Sequence, residues 1–198
     1  MNARLRFPAE VVAAIRYAVG SEFPISYRFS QWKEIDFEAK VVGSSDELEV
    51  LLSTLRAAGV DLFNVSARRF HQPEWPERSD LGLAGWAKSL TDAPVIAVGS
   101  VGLSTDLPSE LWLGEQTLPE TARSIGWLVE RFGRGEFDLV AVGRAHLADA
   151  EWVNKVRQGR YDDIVGYRPK LLLEIAEAWN DGPAESAHSH AIEHAPVV

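Results

Sequence analysis

Two short segments of this chain end in glycine and carry groups that can bind a phosphate. Residues 95–102 and 138–145 are each an apolar run followed by small or basic residues. The residues directly after the two runs are the candidate ligand contacts: Gly99, Ser100, Gly143 and Arg144. Glycine lets a backbone N–H approach a ligand closely, and arginine supplies a charged fork of donors that matches phosphate. The two segments therefore predict a phosphate-binding site.

The apolar runs themselves are short and rich in β-branched residues, which is typical of buried strands. Four such runs predict strands at residues 23–30, 60–65, 94–98 and 137–142. Amphipathic helical patterns lie between them, and alternating strands and helices predict parallel β/α units. Because parallel strands end at one rim, the two glycine-terminated strands would bring their phosphate contacts to the same rim.

Helices are expected at residues 7–19, 44–58, 85–90, 117–132, 149–158 and 169–179. The clearest start is Ser44, because Glu47 follows it at capping-box spacing, and Gly59 gives an equally clear end. Thr117 and Glu120 repeat the capping-box pattern.

These elements predict an α/β fold with about four parallel strands. A complete (β/α)8 barrel needs eight strands and about 250 residues, whereas this chain has 198 residues. The expected architecture is therefore a TIM-barrel-derived half-barrel whose two sheet edges must be covered by something else. Residues 1–180 are expected to form one domain, and the polar residues 181–198 a disordered tail.

Composition excludes several classes of function. The chain has 20 Lys and Arg against 29 Asp and Glu, a net charge of −9, which argues against nucleic acid and anionic membranes as partners. It has no cysteine, so disulfides and thiolate metal sites are excluded. No apolar stretch has the length of a membrane span or the form of a signal peptide, so a cytoplasmic location is expected.

In their order and spacing, several segments resemble the C-terminal half of the old yellow enzyme family, the FMN-dependent NADH:flavin oxidoreductases and ene-reductases. The matching segments are residues 6–12, 25–30, 59–66, 94–102 and 137–149. Each segment alone is weak evidence, but together they are specific, and the resemblance extends from Arg4 to about Trp179. It implies strands five to eight of a TIM barrel.

The resemblance also implies roles for individual residues. Arg28 matches the family's arginine on strand five, which stabilises negative charge on the reduced flavin. Gly99 and Ser100 match donors to the FMN phosphate after strand seven, and Gly143 and Arg144 match the phosphate-binding pair after strand eight. The implied cofactor is FMN, with NAD(P)H as co-substrate and hydride passing through FMN to an activated alkene of the enone type.

The family's carbonyl-binding pair and proton-donating tyrosine match nothing in this chain, so no catalytic residue is assigned. The isolated chain is therefore expected to be catalytically poor unless a complementary first half or a second copy completes it. Two alternatives remain open. One is a non-catalytic half-barrel that self-associates and at most binds FMN or phosphate. The other is a phosphate-binding barrel that acts on a sugar phosphate.

Other polar residues are weaker candidates. Arg68, Arg69 and His71 lie on a long loop after the second strand, where they would contact substrate or nicotinamide, or else form an ordinary solvated loop. For Arg28, the structural alternative is a salt bridge inside the sheet. Three histidines alternate in the tail (His188, His190 and His194), but the segment looks unstructured, so no metal site is predicted.

Overall fold

A computed structural model describes residues 2–33, 36, 38–105, 120–168 and 170–180 of the chain. The chain divides into two compact units, Met1–Tyr167 and Arg168–Val198. The predicted tail, residues 181–198, lies outside the described residues, so its predicted disorder and the domain boundary at residue 180 stay predictions.

One sheet of four parallel strands organises the first unit. The strands are β1 (Ser26–Ser30), β2 (Leu62–Ser66), β3 (Val95–Val98) and β4 (Leu139–Ala141), and they are neighbours in that same order. This arrangement confirms the predicted α/β half-barrel. Strand β4 is shorter than expected because only these three residues pair with β3, its single neighbour.

Helices alternate with the strands: α1 (Asn2–Val19), α2 (Ser45–Ala58), α3 (Leu83–Leu90), α4 (Thr121–Gly133), α5 (Arg144–Ala148) and α6 (Trp152–Arg157), followed by a 3-10 turn at Tyr161–Asp163. In the second unit, α7 spans Lys170–Asn180. None of the described helices is long and apolar enough to cross a membrane.

Three helices begin at other residues than the sequence predicts, and one helix is additional. Helix α3 begins at Leu83 rather than residue 85. Helix α1 begins at Asn2 rather than residue 7 and contains Pro8, and its extra turn buries Leu5. Helix α5 was not expected. Asp149 accepts a hydrogen bond from Glu151 N at 3.0 Å, and α6 begins at Trp152 instead of directly after Asp149. The predicted start at Thr117 lies outside the described residues.

Helix α2 begins and ends as its sequence predicts. Ser44 Oγ accepts a hydrogen bond from Glu47 N at 3.2 Å, and Gly59 ends the helix in the left-handed region at φ +117°. Its apolar face, Leu48, Leu51, Leu52 and Leu55, is buried.

The two faces of the sheet have different surroundings. Alternate residues of one face are buried in the core: Phe29, Phe63, Val65, Val95 and Ala97. On the other face Arg28, Asn64, Ile96 and Leu139 lie in register across all four strands and stay partly or fully exposed. This second face corresponds to the interior of a closed barrel.

Candidate functional site

The two glycine-terminated segments meet at the rim formed by the carboxyl ends of the strands. Arg144 Nη2 donates a hydrogen bond to Ser100 Oγ at 3.2 Å and another to Thr105 O at 2.9 Å. Strand β3 delivers Ser100, and β4 delivers Arg144. The structure therefore places a guanidinium beside a hydroxyl at the position where the sequence predicts a phosphate site.

Close packing requires glycine at position 99. A Cβ atom there would lie 2.7 Å from both Ala67 O and Phe70 N, backbone atoms of the loop that follows β2. That loop is tied to β3 by two hydrogen bonds, Ala67 N to Val98 O at 2.9 Å and Phe70 N to Gly99 O at 3.1 Å. Glycine at this position lets the two loops pack together.

Ser100 holds an unusual backbone conformation. Its φ of +50° makes it the one non-glycine residue with positive φ among the described residues. Its hydroxyl also donates to Arg68 O at 2.9 Å while accepting from Arg144. Non-glycine residues in the left-handed region cost free energy and cluster at functional sites. Ser100 therefore has a backbone conformation that is typical of a binding loop. Its hydroxyl also connects the end of β3 with residues that follow β2 and β4.

Gly143 differs from Gly99. No atom lies within 4 Å of the position a Cβ would take. Packing therefore does not require glycine here. The space beside Gly143 opens next to Arg144, whose half-buried guanidinium lies 5.5 Å from the Tyr167 ring.

Arg28 lies on the open face of the sheet, and the structure does not bring it into contact with Ser100 or Arg144. It is exposed, and Arg28 Nη2 donates to Ser66 Oγ at 3.4 Å. No carboxylate among the described residues pairs with it, so the part of the chain that the structure describes shows no salt bridge for Arg28 inside the sheet. Beside it in register, Asn64 Oδ1 is buried without a hydrogen-bond donor among the described residues.

The loop after β2 lines a second part of the rim. Arg68 and Arg69 border a cavity of about 230 Å³ together with Gln31, Trp32, Lys40 and Glu74. Glu74 Oε1 accepts hydrogen bonds from Gln31 Nε2 at 2.9 Å and Lys40 Nζ at 2.8 Å, so its negative charge is compensated. Whether Arg68 and Arg69 contact substrate stays a prediction.

His71 packs away from this cavity. Its ring stacks on Trp127 of α4 with the ring centres 3.9 Å apart. Burial lowers the pKa of His71, and the positive charges of Arg69 and Arg131 lower it further. A neutral, stacked imidazole fits a packing role at this position.

Sequence reasoning missed four residues that the structure adds to the rim and the open face: Asn64, Ser66, Thr105 and Tyr167. Asn64 and Ser66 carry a signal that could have identified them, because they are alternate polar residues in an otherwise apolar strand and must share one face. Thr105 contributes a backbone carbonyl, and Tyr167 lies far along the chain, so neither has a local signal.

Two relatives align with most of this chain. It is 32% identical over 168 residues to an NADH oxidase of Thermoanaerobacter brockii, covering 81% of this chain and 22% of that protein. It is 29% identical over 189 residues to a cinnamate reductase of Clostridium sporogenes, covering 86% of this chain and 25% of that protein. The chain thus spans about a quarter of the length of these relatives.

A solved structure supports the fold. A 2-naphthoyl-CoA reductase in complex with 2-naphthoyl-CoA superposes with a TM-score of 0.55 at 21% identity, covering 83% of this chain and 22% of that one. No protein-family model matches the chain. The predicted resemblance to the old yellow enzyme-like oxidoreductases is confirmed by these relatives.

Proposed function

We propose that this chain, which resembles the C-terminal half of the old yellow enzyme family, is the FMN-phosphate-binding part of an NAD(P)H-dependent oxidoreductase. Its relatives named NADH oxidase and cinnamate reductase support redox chemistry with a nicotinamide and an activated alkene. FMN, when bound, supplies the hydride transfer that amino-acid side chains do not perform.

The observation that carries the proposal is the contact between Arg144 and Ser100 at the rim. Ser100 holds the Arg144 guanidinium from the neighbouring strand, and a guanidinium fork suits a phosphate. The phosphate sites of such barrels lie after the last two strands. Gly99 and Gly143 would add backbone N–H groups, and the Cβ side of Gly143 is open. The residues present therefore fit the phosphate end of FMN.

Arg28 has a separate role in the proposal. Its guanidinium lies on the open face, where Ser66 holds it and no described carboxylate neutralises it. A positive charge at this position would stabilise negative charge on a bound ring system. Arg28 thus acts on the ring electrostatically, whereas Ser100 and Arg144 anchor the phosphate.

We expect the isolated chain to bind FMN but to turn over slowly. None of its residues matches the family's carbonyl-binding pair or proton donor, and positioning and general acid catalysis each contribute orders of magnitude to a rate. Turnover would therefore need a partner that supplies those groups.

The test compares FMN with riboflavin, which lacks the phosphate, by quenching of flavin fluorescence. We expect Arg144→Met to weaken FMN binding about ten- to a hundredfold, because a charge-assisted hydrogen bond contributes roughly 1.5–3 kcal/mol, and to leave riboflavin binding unchanged. The matched control is Arg56→Met, since Arg56 contacts Val60 O and Asp92 away from the rim.

Equal affinity of the wild-type chain for FMN and riboflavin would contradict the phosphate site. So would an Arg144→Met variant that binds FMN as well as the Arg56→Met control does.

A further inference from the structure

Helix α1 carries two apolar faces, and only one of them is covered. Leu5 and Val12 are buried, and α1 packs against α2. Four further apolar residues recur at every fourth position and so form a continuous row that is inclined to the helix axis and ends beside Val12. They form what we call the α1 stripe, and they are 76%, 41%, 44% and 39% exposed: Phe7, Val11, Ile15 and Val19.

A second uncovered apolar surface lies between α4 and β4. It is a groove of about 420 Å³, which we call the β4 groove, lined mainly by Ile125, Val129, Phe132, Phe137, Leu139 and Val140. Val129 is 68%, Phe132 57% and Leu139 55% exposed. Contiguous exposed apolar surface of this kind is typical of an interaction site.

The two surfaces lie at opposite ends of the sheet. Helix α1 packs beside α2 and α2 beside α3, so α1 is outermost on the side of β1. The β4 groove flanks the other edge strand of the sheet. Both edges, β1 and β4, run parallel, so β1 of another copy placed beside β4 would continue the sheet in the same direction.

The connection rules for parallel sheets bring the stripe to the groove in such a pair. A helix that precedes a strand in a right-handed β/α unit covers the seam between that strand and the strand before it. If β4 of one copy precedes β1 of the next, α1 covers the seam beside β4. The α1 stripe then faces the β4 groove.

The apolar area of the two surfaces matches what a stable pair needs. The α1 stripe and the β4 groove together expose roughly 700 Å² of side chain per copy, taking about 100–200 Å² for a fully exposed apolar side chain. Two copies would bury about 1,400 Å², which is within the range of specific interfaces, roughly 1,200–2,000 Å².

We propose that two copies of this chain form a two-fold symmetric pair in which the α1 stripe of each packs into the β4 groove of the other. The two seams are equivalent, so the pair is closed and leaves no free sheet edge. It forms an eight-stranded parallel barrel with two copies of the Ser100–Arg144 rim. The proposal does not depend on flavin binding.

The first test is sedimentation velocity of the full chain at about 10–50 µM. The wild-type protein is expected to sediment as a dimer, and Val11→Glu and Val129→Glu are each expected to sediment as monomers. The matched control is Tyr17→Glu, since Tyr17 is on α1 but off the stripe and 93% exposed. It is expected to remain a dimer.

A second test uses the absence of cysteine from the chain. Ile15→Cys and Val129→Cys variants, each with a unique thiol, are mixed and treated with a short bis-maleimide. Crosslinked dimer is expected from the mixture but not from either variant alone, because the stripe meets the groove and not another stripe. This test needs no destabilising substitution.

Three results would overturn the proposal. The first is a wild-type monomer at these concentrations that is folded by circular dichroism, which would mean that another segment or another protein covers the groove. The second is crosslinking of Ile15→Cys to itself, which would mean that the stripes face each other. The third is a dimer that persists in both the Val11→Glu and Val129→Glu variants.

Discussion

At the scale of single residues, the two rim glycines differ in what a Cβ atom would meet. Gly99 is enclosed by backbone on the Cβ side, whereas Gly143 faces open space. The same substitution at the two positions therefore has different consequences, although both glycines follow an apolar strand in the sequence.

Gly99→Ala is expected to destabilise the chain by about 1–3 kcal/mol, because its Cβ would force the loop after β2 away from β3. Gly143→Ala is expected to destabilise the chain less than Gly99→Ala does, because its Cβ would meet no other residue, but to weaken FMN binding. Urea unfolding followed by circular dichroism, with FMN titration of each variant, measures both effects. A Gly143→Ala variant with wild-type FMN affinity would show that this backbone does not contact the ligand.

At the scale of elements, α2 gives the most direct link between sequence and structure. Ser44→Ala removes the hydroxyl that accepts from Glu47 N, and loss of such an N-cap costs about 1 kcal/mol. Ser53→Ala is the matched control, because Ser53 is exposed in the same helix and its hydroxyl only donates to Val50 O at 3.3 Å.

We expect the urea midpoint to fall for Ser44→Ala and to stay within error for Ser53→Ala, with the same denaturant slope for both. If both variants lost the same free energy of unfolding, the hydrogen bond from Glu47 N to Ser44 would contribute no more to stability than an exposed hydroxyl does.

The elements also show what the sequence could and could not predict. The caps of α2 and the order of four strands were predictable because their signals are local: Ser44, Glu47, Gly59 and β-branched runs. The five-residue helix α5 was not predictable, since it has no cap and too few residues for a periodic pattern. The length of β4 depends on pairing with β3, which is a long-range contact.

Some features of the candidate site could likewise be predicted from the sequence, and others could not. The glycine-terminated strands predicted that Ser100 and Arg144 would lie at one rim, because parallel strands end together. The left-handed backbone of Ser100 and the close packing around Gly99 depend on the loop after β2, about thirty residues earlier in the chain, and no local pattern encodes them.

At the scale of the whole molecule, two aspartates connect segments that are distant in sequence. Asp61 accepts a hydrogen bond from Ile25 N at 2.7 Å and pairs with Arg16 of α1. Asp149 accepts from Lys155 Nζ at 2.6 Å and from Val165 N at 2.9 Å. The bond from Ile25 N, followed by Arg16, lowers the pKa of Asp61. The bond from Lys155, followed by that from Val165 N, lowers the pKa of Asp149.

These lowered pKa values predict how stability depends on pH. Below the usual aspartate pKa of about 3.9, the unfolded chain binds protons that the folded chain does not yet bind, so the free energy of unfolding falls as pH falls. Above about pH 5 both states are ionised and this contribution is constant. Mutual repulsion from the net charge of −9 instead decreases on going from pH 8 towards the isoelectric point near 5.1.

The two effects together predict a maximum of stability near pH 5 and a steep loss below pH 4. Urea unfolding between pH 3 and pH 8 measures the profile. Asp61→Asn and Asp149→Asn should each lower the free energy of unfolding at pH 7. They should also make its decrease below pH 4 less steep, because the proton uptake that causes this decrease is removed. The control is Asp162→Asn, since Asp162 is exposed, and it should show the same decrease below pH 4 as the wild-type chain. An equally steep decrease in all three variants would assign the loss of stability to other carboxylates.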